Sequence, residues 1–366
     1  MAAAAQRFGE RNPGIRVTWE KRSLQEFADQ PIDELGRQYD LLVIDHPWAG
    51  FASSSGVLQA MDEVLPADFL AEQEANSVGL SHASYSYGGH QWALALDAAT
   101  PVASWRPDLL QEASETVPAT WADLISLARK GMVAMPSIPQ DTLMNFYMLC
   151  ALPGADLFES SDVVVSPEIG ITALEMLREL ASLQTREIFD WNPIRVYEAM
   201  TARDDLAYCP FAYGYSNYAR RGFARRRLES GDVVALDDFA LRTTLGGTGL
   251  AISSQSDHIA EAAAFARFVA DPEYQRTQFV ENGGQPGHRS AWTDEQNNLI
   301  THNYFTQTLP CLDRAHLRPR FPGSLGFQGG DGAGVPIREY MMEGGDPRRV
   351  LESVDQMYRA SQQGVV

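Results

Sequence analysis

A two-lobed α/β fold with a hinge and a cleft between the lobes is what this sequence predicts, and three observations carry the prediction. Helical periodicity alternates with short apolar strand patterns along the chain, as expected for α/β lobes with largely parallel sheets. At 366 residues the chain is long enough for two lobes, each burying its own core. Two segments read as crossings between those lobes. In Leu96-Asp97-Ala98-Ala99-Thr100-Pro101-Val102 one strand pattern ends and another begins across a proline. In Leu245-Gly246-Gly247-Thr248-Gly249 the glycines permit the backbone changes that a hinge must absorb. Each lobe is then built of discontinuous pieces, residues 1–99 with 248–287 and residues 100–247 with 288–366.

Taken in order, the elements start with an Ala-rich helix from Met1 to about Asn12-Pro13-Gly14. It has no basic region followed by an apolar core, so it is not a secretory signal. Either the natural start lies upstream of Met1 or the protein is never exported. Strand patterns follow at Ile15–Trp19, Leu41–Ile44, Gly131–Met135, Leu206–Tyr208 and Gly249–Ile252. The second is a continuous apolar run between Asp40 and Asp45, as for a strand covered on both faces. Helix starts are marked more sharply. Thr120 caps a helix running to about Lys130, and Ser166-Pro167-Glu168 sets a cap, a first-turn proline and an acid before Leu174, Leu177, Leu180 and Ala181. Asp271-Pro272-Glu273 repeats that signal, with Gly283-Gly284 as its stop. Asp346-Pro347 opens a last helix with Val350, Leu351, Val354 and Met357 on one face.

Composition narrows the function classes. Net charge is −19, from 29 Lys and Arg against 48 Asp and Glu, a surface that repels both nucleic-acid phosphates and anionic lipid heads and so argues against a nucleic-acid or membrane role. No apolar stretch approaches the ~20 residues of a spanning helix. One basic run, Arg220-Arg221-Gly222-Phe223-Ala224-Arg225-Arg226-Arg227, reads as a solvated loop or an anion-contacting patch. Cys150, Cys209 and Cys311 are far apart among apolar residues and read as buried free thiols, without metal spacing. Gly246-Gly247-Thr248-Gly249 lacks the lysine and helix of a phosphate-binding loop. There is no G-x-S-x-G or H-E-x-x-H motif, although a pair of cleft carboxylates acting as a hydrolase stays open. Neither a cofactor nor a metal is expected.

The pieces Arg7-Phe8-Gly9-Glu10-Arg11-Asn12-Pro13-Gly14, Tyr39-Asp40 through Trp48, Tyr87-Gly88-Gly89-His90-Gln91-Trp92, Pro118-Ala119-Thr120-Trp121-Ala122-Asp123-Leu124, Gly246 to Ser253 and Gly283-Gly284-Gln285-Pro286 stand in a specific order and spacing. In these the chain resembles the extracellular solute-binding proteins of sugar-type ABC importers, the maltose-binding-protein-like group, over nearly its whole length. The resemblance implies a periplasmic-binding-protein-like fold and a protein that captures a small polar solute, a sugar or polyol, and is not an enzyme. It implies partners in an ABC permease and its ATPase, a monomer, and a periplasmic or cell-surface location. A cytoplasmic binding or sensor protein of the same fold is the alternative. The family's signal segment and first strand have no counterpart ahead of the first helix here, and Ala95 stands where the crossover often carries proline.

Ligands of open α/β sheets bind beyond the carboxyl ends of strands and at domain interfaces. His46 and Trp48 directly follow the Leu41–Ile44 strand. Trp48 can stack on a sugar face or pack beneath a loop, and His46 can reach a ligand or sit satisfied in the core. Asp97, at the first crossing, can accept from solute hydroxyls or brace the hinge backbone. Tyr213 and Tyr215 follow the 206–208 pattern and offer a cleft aromatic, as the matching family segment does. Asn145 supplies donor and acceptor, or lies on a helix surface. Arg289, Arg318 and Arg320 can grip a carboxylate, or form surface ion pairs.

Overall fold

The computed structural model describes residues 1–22, 30–151 and 157–363. The chain divides into two compact units. One holds residues 1–99, 246–299 and 320–322, the other residues 100–245, 300–319 and 323–366.

In the first unit the strand Gly246–Ser253 forms the middle of the sheet. It pairs with Leu41–Ile44 in the register Leu41↔Ile252 to Ile44↔Gly249, with Leu58–Gln59, and with Leu94–Ala99. All these pairs are antiparallel, which corrects the parallel sheets expected from the sequence. The reason lies at the crossing. Leu94–Ala99 ends where the chain leaves the unit and Gly246 starts where it returns, with Gly246 facing Ala99, so the two strands must run in opposite directions. Leu94, Leu96, Leu250 and Ile252 meet Ala4 and Phe8 of helix Ala2–Arg11 and Phe265, Ala266 and Val269 of helix Ile259–Ala270 in one core. Phe8 and Phe265 pack edge to face with centroids 5.2 Å apart.

Ile15–Trp19, expected as a strand, pairs with no strand among the described residues. Its Ile15, Val17 and Trp19 alternate onto the same core, and Trp19 lies 6.0 Å from the Phe265 ring. Besides the Ile15 N–H donated to Asn12 O at 2.9 Å, side-chain packing holds it against the core. A groove of about 500 Å³ runs between this segment and Ala2, Ala5, Gln6 and Gly9 of the first helix.

Residues 288–299, and with them 246–247 and 320–322, placed by the sequence with the second lobe, cluster with the first unit instead. The Trp292 indole donates to Pro286 O at 2.7 Å, Arg289 N–H donates to Asn76 O at 2.7 Å, and His288 Nε2 lies 3.0 Å from Glu72 Oε1.

The second unit has a three-stranded antiparallel sheet, Tyr208–Tyr213 beside Pro101–Trp105 beside Glu229–Gly231. Again the strand leaving the crossing faces one that comes back to it, with Pro101 opposite Tyr213. The 206–208 strand pattern is realised as Tyr208–Tyr213. The expected strand Gly131–Met135 shrinks to one parallel bridge between Val133 and Tyr208. Helices Pro139–Cys150, Pro167–Ser182, Gly334–Glu343 and Pro347–Gln363 make up the rest of this core. They approach closely enough that a Cβ on Gly334 would lie 1.8 Å from Pro139 O.

The helix starts lie where the sequence places them, although the Ser166 side chain caps no N–H of helix Pro167–Ser182. Thr120 and Asp123 form a reciprocal capping box for Trp121–Ala128, and Asp271 Oδ1 accepts from Glu273 N–H and Tyr274 N–H at 3.0 Å each. All three cysteines are free and buried.

Candidate functional site

In the first unit the register fixes three of the candidate residues. Leu41–Ile44 and Leu94–Ala99 both run antiparallel to the strand between them, and Ile44 faces Gly249 while Asp97 faces Thr248. The carboxyl end of Leu41–Ile44, leading into His46 and Trp48, therefore lies at the same end of the sheet as Asp97. His46 is buried, its Nδ1 3.4 Å from Asp45 Oδ1 and its ring at right angles to Tyr85, centroids 6.3 Å apart. Trp48 opens helix Trp48–Ser55 and stands edge-on to Phe51 at 5.6 Å, with only 7% of its surface exposed. Gly249 allows the Tyr85 ring to approach, since a Cβ there would lie 2.6 Å from it.

Asp97 is half-buried and accepts the Gln285 N–H at 2.7 Å. Burial pushes its carboxyl up to about 7, against the opposing pull of the Gln285 and Ala98 N–H groups. Its side chain thus braces the 285–286 backbone. At neutral pH it is divided between an acceptor-only carboxylate and a carboxylic acid that can donate.

In the second unit Tyr213 and Tyr215 alternate with the buried residues Ala212, Gly214 and Ser216, so both tyrosines fall on one side of the extended chain. Tyr213 Oη and Thr244 Oγ1 are 2.9 Å apart. Tyr215 is edge-on to Tyr197 at 6.3 Å. Thr244 bridges to His316, whose backbone N–H donates to Thr243 O at 2.9 Å. Burial lowers the His316 pKa to about 4, so the imidazole is neutral at physiological pH, and its Nε2 has no hydrogen-bond partner among the described residues.

Asn145 is not a surface residue. Helix Pro139–Cys150 is buried at every position from Asp141 onward, and the Asn145 amide donates to Pro136 O at 3.2 Å. Nor does Arg320 form a surface ion pair, because its Nη1 donates to the carbonyls of Ala83, Ser84 and Ser86. Arg318 is buried with Nε on Leu245 O, and Arg289 Nε reaches Ser77 O.

Three groups here were missed by sequence reasoning: Thr244, His316 and Asp141. Asp141 sits in the first turn of its helix, where an acid ordinarily faces water. Here Asp141 is buried, Oδ2 has no hydrogen-bond partner among the described residues, and desolvation pushes the carboxyl up to about 8. Nothing in Pro139-Gln140-Asp141-Thr142 distinguishes it from an exposed helix start.

These groups comprise hydroxyls, an amide, a neutral imidazole, an acid near neutrality and an aromatic face. Among the described residues no group of three or more His, Cys, Asp or Glu is placed to hold a metal ion. Nor is any helix among them long and apolar enough to cross a membrane.

Comparison with known proteins adds the following. The family model described as bacterial extracellular solute-binding protein matches residues 1–276. No curated protein matches the chain. Among solved structures, maltose-bound MalE3 of T. maritima superposes with TM-score 0.83 at 15% identity, covering 98% of this chain and 95% of that one. A solute-binding protein of an ABC transporter from Agrobacterium radiobacter K84, in complex with ribitol, gives TM-score 0.81 at 17% identity, over 99% and 94%. One from Thermotoga lettingae TMO, bound with α-D-tagatose, gives 0.80 at 17%, over 99% and 95%. The architecture is thus that of the two-lobed periplasmic binding proteins.

Proposed function

Because the chain belongs to the bacterial extracellular solute-binding proteins, we propose that it captures a small polar solute reversibly, a sugar or polyol, for delivery to an ABC importer outside the cytoplasm. The family match over residues 1–276, on a chain whose two units are each assembled from discontinuous pieces, carries this reading. The maltose, ribitol and tagatose held by proteins of the same fold give the solute class. We assign the contacts to His46, Trp48 and Asp97 of one unit and Asn145, Tyr213 and Tyr215 of the other, with Thr244 and His316 beside Tyr213. The protein acts as a monomer and carries out no chemistry on its solute.

A thermal-shift screen of sugars, polyols, amines and carboxylic acids tests this, since a ligand that binds only the folded state stabilises it by RT ln(1 + [L]/Kd). Sugars or polyols are expected to raise the melting temperature and the other classes to leave it unchanged. For the best ligand, calorimetry on Trp48→Phe should show binding weaker by about 1–3 kcal/mol, as for a shortened aromatic anchor. Phe retains an aromatic ring in a position too buried to be emptied safely. Turnover of a glycoside, in place of simple retention, would replace the carrier reading with that of a hydrolase.

A further inference from the structure

The arginine-rich turn between residues 218 and 228 lies in the second unit and is used by none of the candidate contacts. Five arginines fall within eight positions of a chain whose net charge is −19, and no acid stands between Ala219 and Leu228. The turn is built rather than loose. Leu228 N–H donates to Tyr218 O at 3.0 Å and closes its base, and Gly222, at φ +82°, turns the chain back. The Phe223 ring leans edge-on against Tyr218 at 5.2 Å. Phe223 is nevertheless 53% exposed, and Arg221, Arg225, Arg226 and Arg227 around it are exposed as well. Among the described residues no ion pair reaches any of these four arginines. In an acid-rich protein, four neighbouring cations without acid partners are out of keeping with the rest of the surface.

We propose that this turn docks the protein on an anionic lipid surface, with Phe223 entering the headgroup layer and the guanidinium groups of Arg221, Arg225, Arg226 and Arg227 meeting lipid phosphates. Arginine binds phosphate through paired N–H donors, and a basic segment carrying an aromatic residue suits an interface that is anionic outside and apolar beneath. The exposed ring at the centre of the charge favours lipid over an acidic protein face, which would use the arginines and leave Phe223 in water. Two acids do stand near the turn: Glu229, two positions beyond Arg227, and Glu198, which acts on the Tyr218 hydroxyl. Against them the turn carries five arginines, and at about 0.15 M salt charges more than about 8 Å away are screened. The inference does not rest on the solute reading, and either can fail alone.

Co-sedimentation of the full chain with vesicles tests it, comparing pure phosphatidylcholine with phosphatidylcholine containing phosphatidylglycerol. Retention is expected only on the second, with loss when salt is raised well above physiological strength. R225Q/R226Q/R227Q should lower the partition coefficient about a hundredfold, taking about fivefold per surface arginine. Phe223→Ala should lower it several-fold with little change in salt dependence. All these side chains are exposed, and unchanged melting of the variants separates lost docking from lost folding. Equal retention on the two vesicle types would overturn the proposal, as would variants that partition like the unsubstituted chain. Capture by immobilised poly-glutamate with no capture by vesicles would assign the turn to an acidic protein instead.

Discussion

At the scale of single residues, the buried acids give the clearest consequences. The Asp141 carboxyl is pushed up to about 8 by desolvation and has no cationic partner to offset this. In the unfolded chain an aspartate titrates near 3.9. Below that value both states are protonated and the site contributes no pH dependence. Between about 4 and 8 the folded state holds a proton that the unfolded state has lost, so stability falls as pH rises through this window and levels off above it. The loss is about 6 kcal/mol at most. Urea midpoints at pH 5 and pH 8 should therefore differ less for Asp141→Asn than for the unsubstituted protein. Asp97, pushed up to about 7, contributes in the same direction to both, so the difference between the two proteins isolates Asp141. Equal pH dependence in both would show that Asp141 is ionised in the folded state. The same residue shows why the site was only partly legible. His46, Trp48 and Asp97 could be named because strand ends are visible in the sequence, whereas Asp141, Thr244 and His316 owe their character to burial by distant segments.

Elements were legible where their chemistry is local. A cap such as Thr120 with Asp123, or Asp271 ahead of Pro272, is satisfied within four residues, and both helices start where the sequence places them. Strand direction is not local. Leu94–Ala99 and Gly246–Ser253 are far apart in the chain, and their antiparallel pairing follows from leaving and re-entering one unit at the same point, which no apolar run announces. The glycines of that returning strand were read as freedom for a hinge. The structure gives them a further task. Gly247 has φ +116°, and a Cβ there would lie 2.1 Å from Asp97 O, at the irregular register between Thr248 and Gly249. Gly247→Ala is therefore expected to destabilise the protein by about 2 kcal/mol or more, from backbone strain added to the clash. It should also move Asp97 away from the Gln285 N–H, which denaturant titration together with the amide shift of Gln285 would register. A substituted protein as stable as the original would mean that the strand accommodates a side chain there, and that close approach does not fix the bulge.

At the scale of the whole molecule, each unit has its own sheet, and the chain passes from one unit to the other at 99–100, 245–246 and 299–300, with a short return of 320–322 to the first unit. A proline and a glycine run stand at the first two in the sequence. The third has no such mark, since Trp292 and His288 bind the first unit through contacts with Pro286 and Glu72 that spacing alone does not reveal. Calorimetry can use this division. A solute touching only His46, Trp48 and Asp97 would stabilise one unit and leave the melting of the other where it was. A solute that also engages Asn145, Tyr213 and Tyr215 binds a state in which both units are folded, so unfolding of either one releases it and both transitions must rise. With free solute at about 100 times Kd the stabilisation is about 2.7 kcal/mol. For units of this size that corresponds to a rise of roughly 5–10 °C. Both transitions are expected to move upward together as solute is added, merging if they are separate without it. A shift confined to one transition would place the whole site within a single unit and remove the other unit's candidates from it.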